Sequence, residues 1–89
     1  MAELRFEWDP RKDAENQRKH RVSFEEAESV FSDEHSTTED RFILLGLSIR
    51  FRVLLVVHSY REKDEVIRIV SARRATKEQR GRYDQRWKP

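Results

Sequence analysis

Three apolar runs in the second half of the chain constrain its fold more than any other feature. They span residues 41–47, 51–60 and 66–72 and are rich in the Val, Ile and Leu side chains that favour buried strands. Short polar connections join the runs, as is typical of an antiparallel meander. Residues 4–8 alternate apolar and polar side chains and predict a further short strand. The longest apolar stretch, residues 53–57, is far too short to span a membrane.

Helix start signals lie on both sides of these strands. Asp9-Pro10 places an N-cap residue before a proline at the first helical position, which predicts a helix that ends near His20. A capping box begins a second helix: the Ser23 hydroxyl accepts from the Glu26 amide, and the Glu26 carboxylate reaches back to Ser23. A second capping box at residues 76–79 begins a third helix.

The remaining segments complete the predicted fold. In the last helix, Tyr83 and Trp87 are four residues apart and form its packing face. Residues 32–40 are polar and aperiodic, which predicts a loop. The predicted order is β-α-α-β-β-β-α, an α+β fold with one small, mostly antiparallel sheet packed by helices. A chain of 89 residues forms one domain, so we assign residues 1–89 to it.

Charge is distributed unevenly along the chain. Residues 23–40 contain seven acidic and no basic side chains, whereas residues 73–89 contain seven basic and two acidic ones. A polyanion would prefer the basic C-terminal half, and a basic partner protein would prefer the acidic segment. Alternatively, the two segments pair with each other across the fold. The chain has no cysteine and no signal-peptide pattern, so we expect a cytoplasmic protein.

Several motifs together resemble the BrnT family, the toxins of a group of type II toxin–antitoxin systems. The matching residues are FEWDP at 6–10, NQRKHRVSFEEA at 16–27, VF at 30–31 with Asp33, and RIVSARRAT at 68–76 with Glu78 and Tyr83. The chain departs from the family pattern at Arg21, where glycine is common, and near Phe51, where a small residue is common. We therefore expect the turn at Arg21 to take a different geometry.

The resemblance implies a fold similar to RelE-type ribonuclease toxins and a bacterial origin. It also implies endonuclease cleavage of RNA without a metal or other cofactor, which inhibits translation. The implied partners are the RNA substrate and a neutralising BrnA-like antitoxin, through whose DNA-binding domain the complex binds operator DNA. No membrane partner is implied.

Metal-free RNA cleavage needs a base for the 2′-hydroxyl, a cation for the phosphate and an acid for the leaving oxygen. Histidine suits the proton transfers, and the planar guanidinium of arginine suits the phosphate. The catalytic candidates are His20, His58, Arg68 and Arg73. Three of them have a structural alternative: His20 as a helix C-terminal cap, His58 as part of a half-buried cross-strand pair, and Arg68 as an arginine that snorkels from the sheet or pairs with an acidic residue of the second helix.

Other polar residues are candidates for binding RNA. Lys12, Asn16, Lys19 and His20 share one face of the first helix. The complete set of RNA-binding candidates is Lys12, Asn16, Lys19, Tyr60, Ser71, Arg74 and Lys77. Arg68 and Arg73 are an odd number of positions apart, so their side chains point to opposite faces of a regular strand. They share a face only if a β-bulge lies between them.

A second hypothesis requires no catalysis. The chain would be a binding module that, together with its antitoxin, organises a complex on operator DNA. We expect no metal site under either hypothesis, because the three histidines lack ligand spacing and there are no cysteines.

Overall fold

A five-stranded sheet with three helices forms the protein. The computed structural model describes residues 4–87, with side chains to residue 85. The strands are β1 (Arg5–Glu7), β2 (Thr37–Asp40), β3 (Ile43–Leu47), β4 (Val53–Arg61) and β5 (Val66–Arg74), and the helices are α1 (Pro10–His20), α2 (Phe24–Ser29) and α3 (Lys77–Trp87). A 3-10 turn, Val30–Ser32, follows α2. None of the described helices is long and apolar enough to cross a membrane.

The strand order in the sheet is β1-β5-β4-β3-β2, and only the β1–β5 pair is parallel. The predicted α+β class with one mostly antiparallel sheet is therefore confirmed. The prediction of a loop at residues 32–40 is wrong for its second half, which forms β2. This edge strand is polar, so no apolar alternation in the sequence indicated it.

Both faces of the sheet are covered by apolar packing. The α2 face is formed by the buried residues Val22, Phe24, Ala27, Val30, Leu44, Leu54, Val56, Ile69 and Ala72. The opposite face, the α3 face, is formed by the buried residues Leu45, Leu55 and Tyr83. The Tyr83 hydroxyl also donates to Asp33 Oδ2 at 2.7 Å, which anchors α3 beside the 3-10 turn. Tyr83 thus belongs to the packing face of α3. The side chain of Trp87, the other residue predicted for that face, lies outside the described residues.

The predicted helix caps are present with one change. Asp9 and Ser23 accept from backbone amides at the starts of α1 and α2, and Thr76 and Gln79 make both reciprocal bonds of a capping box. The Glu26 carboxylate, however, does not return to Ser23. It is used elsewhere, because a partly buried cation competes for it.

That cation is Arg52, whose Nε donates to Glu26 Oε2 at 2.9 Å, while the Ser48 hydroxyl donates to the same oxygen at 2.7 Å. Glu26 is only 2% exposed. Burial alone would raise its pKa, but the hydrogen bonds from Arg52 and Ser48 outweigh burial and lower the pKa of Glu26. This ion pair ties α2 to the β3–β4 turn.

Arg21 and Phe51 both adopt left-handed backbone conformations, with φ of 58° and 61°. Arg21 ends α1, and its amide donates to the Gln17 carbonyl at 2.9 Å. The expectation of a different geometry at Arg21 is therefore wrong: the residue takes the conformation in which glycine is favoured, and it is strained there.

Candidate functional site

A β-bulge interrupts β5 at Val70. In the β4–β5 ladder, Val57 lies opposite Ser71 and the next residue, His58, lies opposite Ile69. Val70 therefore has no partner on β4, and the alternation of β5 side chains shifts by one residue there. The bulge lies between Arg68 and Arg73, the two arginines whose relative orientation depended on whether a bulge was present.

The bulge places both candidate arginines on the same side of the sheet. Arg68 lies opposite Ser59 and Arg73 lies opposite Leu55, and these two partners are four residues apart on β4. Side chains at that spacing share a face, as do directly paired residues. Arg68, Ser71 and Arg73 therefore all lie on the α3 face.

Asn16 holds the bulged part of β5 against α1. The side chain is 5% exposed. Its Nδ2 donates to the carbonyls of Val22 and Ala72, both at 2.8 Å, and its Oδ1 accepts from the Ala72 amide at 3.2 Å. β1 pairs with β5 only as far as Arg68, so Asn16 satisfies the backbone just beyond the end of β1. The Asn16 amide group thus uses both its nitrogen and its oxygen to hold backbone groups, so it positions β5 against α1.

A groove of about 190 Å³ lies between α1 and the bulge. This α1–bulge groove is lined by Lys12, Glu15, Asn16, Lys19, His20, Val70 and Ser71. It brings together five residues predicted from the sequence, which come from two distant parts of the chain. Lys19 Nζ lies 2.7 Å from Glu15 Oε1, and this hydrogen bond and charge lower the pKa of Glu15. His20 and Lys12 are exposed on the same side of α1.

The two arginines on the α3 face differ in their partners. Arg73 Nη1 donates to Gln79 Oε1 at 3.2 Å, which directs it toward the start of α3. No carboxylate of a described residue pairs with Arg73. Arg68 Nη1 lies 3.7 Å from Glu7 Oε1, and Arg61 Nη1 lies 2.9 Å from the same oxygen. Arg68 thus shares its carboxylate, which comes from β1 and not from α2.

The structure argues against a catalytic role for His58. The side chain is 3% exposed, and its Nε2 lies 3.2 Å from Tyr60 Oη. Phe31 packs edge-on against the imidazole at 4.9 Å between ring centroids. Burial lowers the pKa of His58, which favours the neutral form. His58 is therefore buried on the α2 face. Tyr60, beside it, packs against Arg41 at 4.8 Å and lines neither groove.

A second groove, of about 560 Å³, lies where β4 begins, β5 ends and α3 starts. This arginine groove is lined by Phe51, Arg52, Val53, Arg74, Ala75, Arg80 and Asp84. The sequence predicted only Arg74 among these. The basic composition of α3 is a signal for Arg80, whereas no sequence pattern indicates Phe51. Lys77, the first residue of α3, is exposed and lines neither groove.

The chemistry that this surface can perform follows from its side chains. The α1–bulge groove offers an imidazole, a hydroxyl and ammonium groups, which suit proton transfer and phosphate binding. Within residues 4–87, no group of three or more His, Cys, Asp or Glu side chains is placed to hold a metal ion.

The fold and the site define a small α+β protein that presents a histidine and cations at the edge of a mostly antiparallel sheet. The chain belongs to the BrnT family, since the family model described as "Ribonuclease toxin, BrnT, of type II toxin-antitoxin system" matches residues 8–79. Such systems pair a toxin with an antitoxin.

A solved structure supports the same fold. The chain is similar to the crystal structure of the Brucella abortus ribonuclease toxin BrnT, with a TM-score of 0.59 and 19% sequence identity. The similarity covers 83% of this chain and 99% of the Brucella chain. At this identity the likeness shows the fold alone. No match was found among curated proteins.

Proposed function

We propose that this chain is a cytoplasmic, metal-independent endoribonuclease whose RNA cleavage inhibits translation and which a BrnA-like antitoxin neutralises. The observation that carries the proposal is the bulge at Val70. It makes Ser71 a member of two surfaces, because Ser71 lines the α1–bulge groove and also shares the α3 face with Arg73. An RNA strand lying across Ser71 would pass from His20 to Arg73.

Each step of cleavage has a candidate group on this surface. His20 exchanges protons with the 2′-hydroxyl or the leaving oxygen, because its imidazole is exposed and lines the α1–bulge groove. Lys12 and Lys19 hold neighbouring phosphates. Arg73 stabilises the charge that develops on the phosphate oxygens, since its guanidinium is held by the neutral Gln79 side chain and not by a carboxylate. Arg68 is a weaker candidate because it is paired with Glu7.

Metal independence follows from the same assignment. A bound metal ion in a nuclease stabilises phosphate charge and activates the nucleophile. Arg73 and the lysines supply the first effect here, and His20 supplies the second. We therefore expect cleavage of RNA to continue at full rate in the presence of EDTA.

Expression of the chain alone in bacteria tests the proposal. We expect growth arrest and loss of RNA, relieved by co-expression of the cognate antitoxin or by His20→Ala. Loss of a proton-transfer group of this kind lowers cleavage about 10²- to 10⁴-fold. Arg18→Gln, which changes an exposed residue of α1 outside the groove, is the matched control and should remain toxic. A wild-type chain that leaves both growth and RNA unchanged would contradict the proposal.

One observation favours the second hypothesis, a non-catalytic module that binds operator DNA through its antitoxin. Cleavage uses both a base and an acid, and His20 is the one histidine that lines either of the two grooves. The two hypotheses differ in a mobility-shift assay with purified chain and antitoxin. Operator binding by the complex, without RNA cleavage by the free chain, would support the binding module.

A further inference from the structure

The arginine groove contains cations that no residue of the described chain neutralises. Arg74 and Arg80 are exposed, and neither makes a side-chain hydrogen bond or ion pair with the side chains described, those of residues 4–85. Arg52 differs, because Glu26 neutralises it from inside the protein. Asp84 is the one carboxylate in the lining. The groove therefore presents two available guanidinium groups against a single negative charge, which favours an anionic ligand.

An exposed aromatic ring stands at the same groove. Phe51 is 83% exposed, and its backbone φ of 61° is a left-handed value that is strained for a bulky residue. The neighbouring Arg52 is fixed by its buried ion pair with Glu26, so this end of the turn is held in place. Such strain persists where the surrounding structure imposes it, and it is concentrated at functional sites. A solvent-facing ring beside unpaired arginines is an arrangement that binds unstacked bases and phosphates.

We propose that the arginine groove is a subsite for single-stranded RNA, in which Phe51 stacks on a base while Arg74 and Arg80 bind the adjoining phosphates. The ligand class rests on the proposed ribonuclease function. Arg73 lies on the α3 face opposite Leu55, and Arg74, the next and last residue of β5, lies opposite Leu54 on the other face. An RNA strand bound at Arg73 therefore reaches the groove by passing around this end of β5. The subsite thus adds affinity beside the cleavage position, and its ring contact tolerates any base because every base has a stacking face.

Binding of an RNA that cannot be cleaved tests the subsite separately from catalysis. The probe is a fluorescein-labelled, fully 2′-O-methylated single-stranded decamer, and fluorescence anisotropy gives its affinity for the purified chain over a range of salt concentrations. We expect Phe51→Ala to weaken binding about tenfold with an unchanged salt dependence, because stacking involves no ion release. Phe51→Gly, which also relaxes the backbone, should give the same loss.

Removing the two arginines, in contrast, should change the salt dependence of RNA binding. The double variant Arg74→Gln, Arg80→Gln should reduce the slope of log K against log salt by about 1.4, or about 0.7 for each phosphate that the protein no longer neutralises. Two controls match these changes. Ile49→Ala removes another exposed apolar side chain, 68% exposed, from the same turn. Lys63→Gln removes an exposed cation from the β4–β5 turn at the other end of β5.

The outcomes separate the subsite from the proposed function. A chain without nuclease activity that still binds the probe in this pattern would support the subsite and contradict the ribonuclease proposal. If Phe51→Ala binds as tightly as Ile49→Ala, or if the salt slope does not change in the arginine variant, the subsite is wrong. Variants that bind RNA normally but no longer bind the antitoxin would show that the groove is a protein-docking surface, which also overturns it.

Discussion

Replacing Asn16 with alanine should destabilise the protein far more than any other polar substitution in α1. The side chain makes three buried hydrogen bonds to backbone groups of Val22 and Ala72. Each contributes about 1 kcal/mol net, and each buried group left unpaired costs about 1–3 kcal/mol. Some of these groups will recruit water, so we expect the free energy of unfolding to fall by about 3–5 kcal/mol.

That decrease is large for a protein of this size. At about 0.05–0.15 kcal/mol per residue, a domain of 89 residues is stable by about 4–13 kcal/mol. Urea unfolding followed by circular dichroism measures the change, and with a slope of about 1–3 kcal/mol per molar the midpoint should fall by about 2 M. Gln17→Ala is the matched control, since it removes an exposed hydrogen bond to Asp13 from the neighbouring position. We expect it to change stability by about 0.5 kcal/mol or less.

A second substitution separates hydrogen bonding from packing. Asn16→Asp keeps the shape and the acceptor for the Ala72 amide but replaces the Nδ2 donor with an oxygen that faces two carbonyl groups. At pH 7 it should destabilise at least as much as Asn16→Ala. The assignment of Asn16 as the residue that holds the bulge is wrong under either of two results. One is an unfolding free energy of Asn16→Ala within about 1 kcal/mol of that of Gln17→Ala, and the other is an Asn16→Asp variant as stable as the wild type.

Four further substitutions test the fold. Gly81→Ala should stabilise the protein by about 1 kcal/mol, because nothing lies within 4 Å of the added Cβ. Gly46→Ala should destabilise the protein, because its Cβ would lie 2.8 Å from Val30 Cγ1. Thermal unfolding measures both changes. Arg21→Gly should raise the urea midpoint by relieving the left-handed strain, a gain of up to about 1 kcal/mol. Glu26→Gln should cost about 3–5 kcal/mol at pH 7 by leaving Arg52 unpaired. The pKa of Glu26 in the folded protein lies below its ordinary value of 4.5, so the stabilisation from ionised Glu26 is present above pH 4.5 and is lost as the pH falls through the folded pKa. Glu26→Gln should therefore also reduce the dependence of the unfolding free energy on pH in acid.

Local signals predicted much of this architecture. Asp9, Ser23 and Thr76 are helix caps that act within four residues of sequence, and they are found as caps in the structure. The three apolar runs likewise form β3, β4 and β5, because hydrophobic burial follows from composition alone. The polar edge strand β2 had no such signal, since its pairing depends on the backbone of β3.

The site was predicted less well because it depends on contacts between distant residues. The face that Arg68 occupies is decided by the bulge at Val70, whose position depends on how β4 and α1 hold β5. The same applies to Asn16, which shares a helix face with Lys12 but is buried against β5. Glu26 was assigned to a local cap because its partner, Arg52, lies 26 residues away.

The central claim is that the bulge joins the α1–bulge groove and the arginine of the α3 face into one RNA-cleaving surface. Single-turnover cleavage of a labelled RNA in EDTA by the wild type, His20→Ala, Arg73→Gln and the double variant tests it most directly. Groups that act on the same phosphodiester are strongly non-additive. We therefore predict that the double variant cleaves no more slowly than about the slower single variant. Rate decreases that multiply, or a wild type that does not cleave in EDTA, would contradict the account.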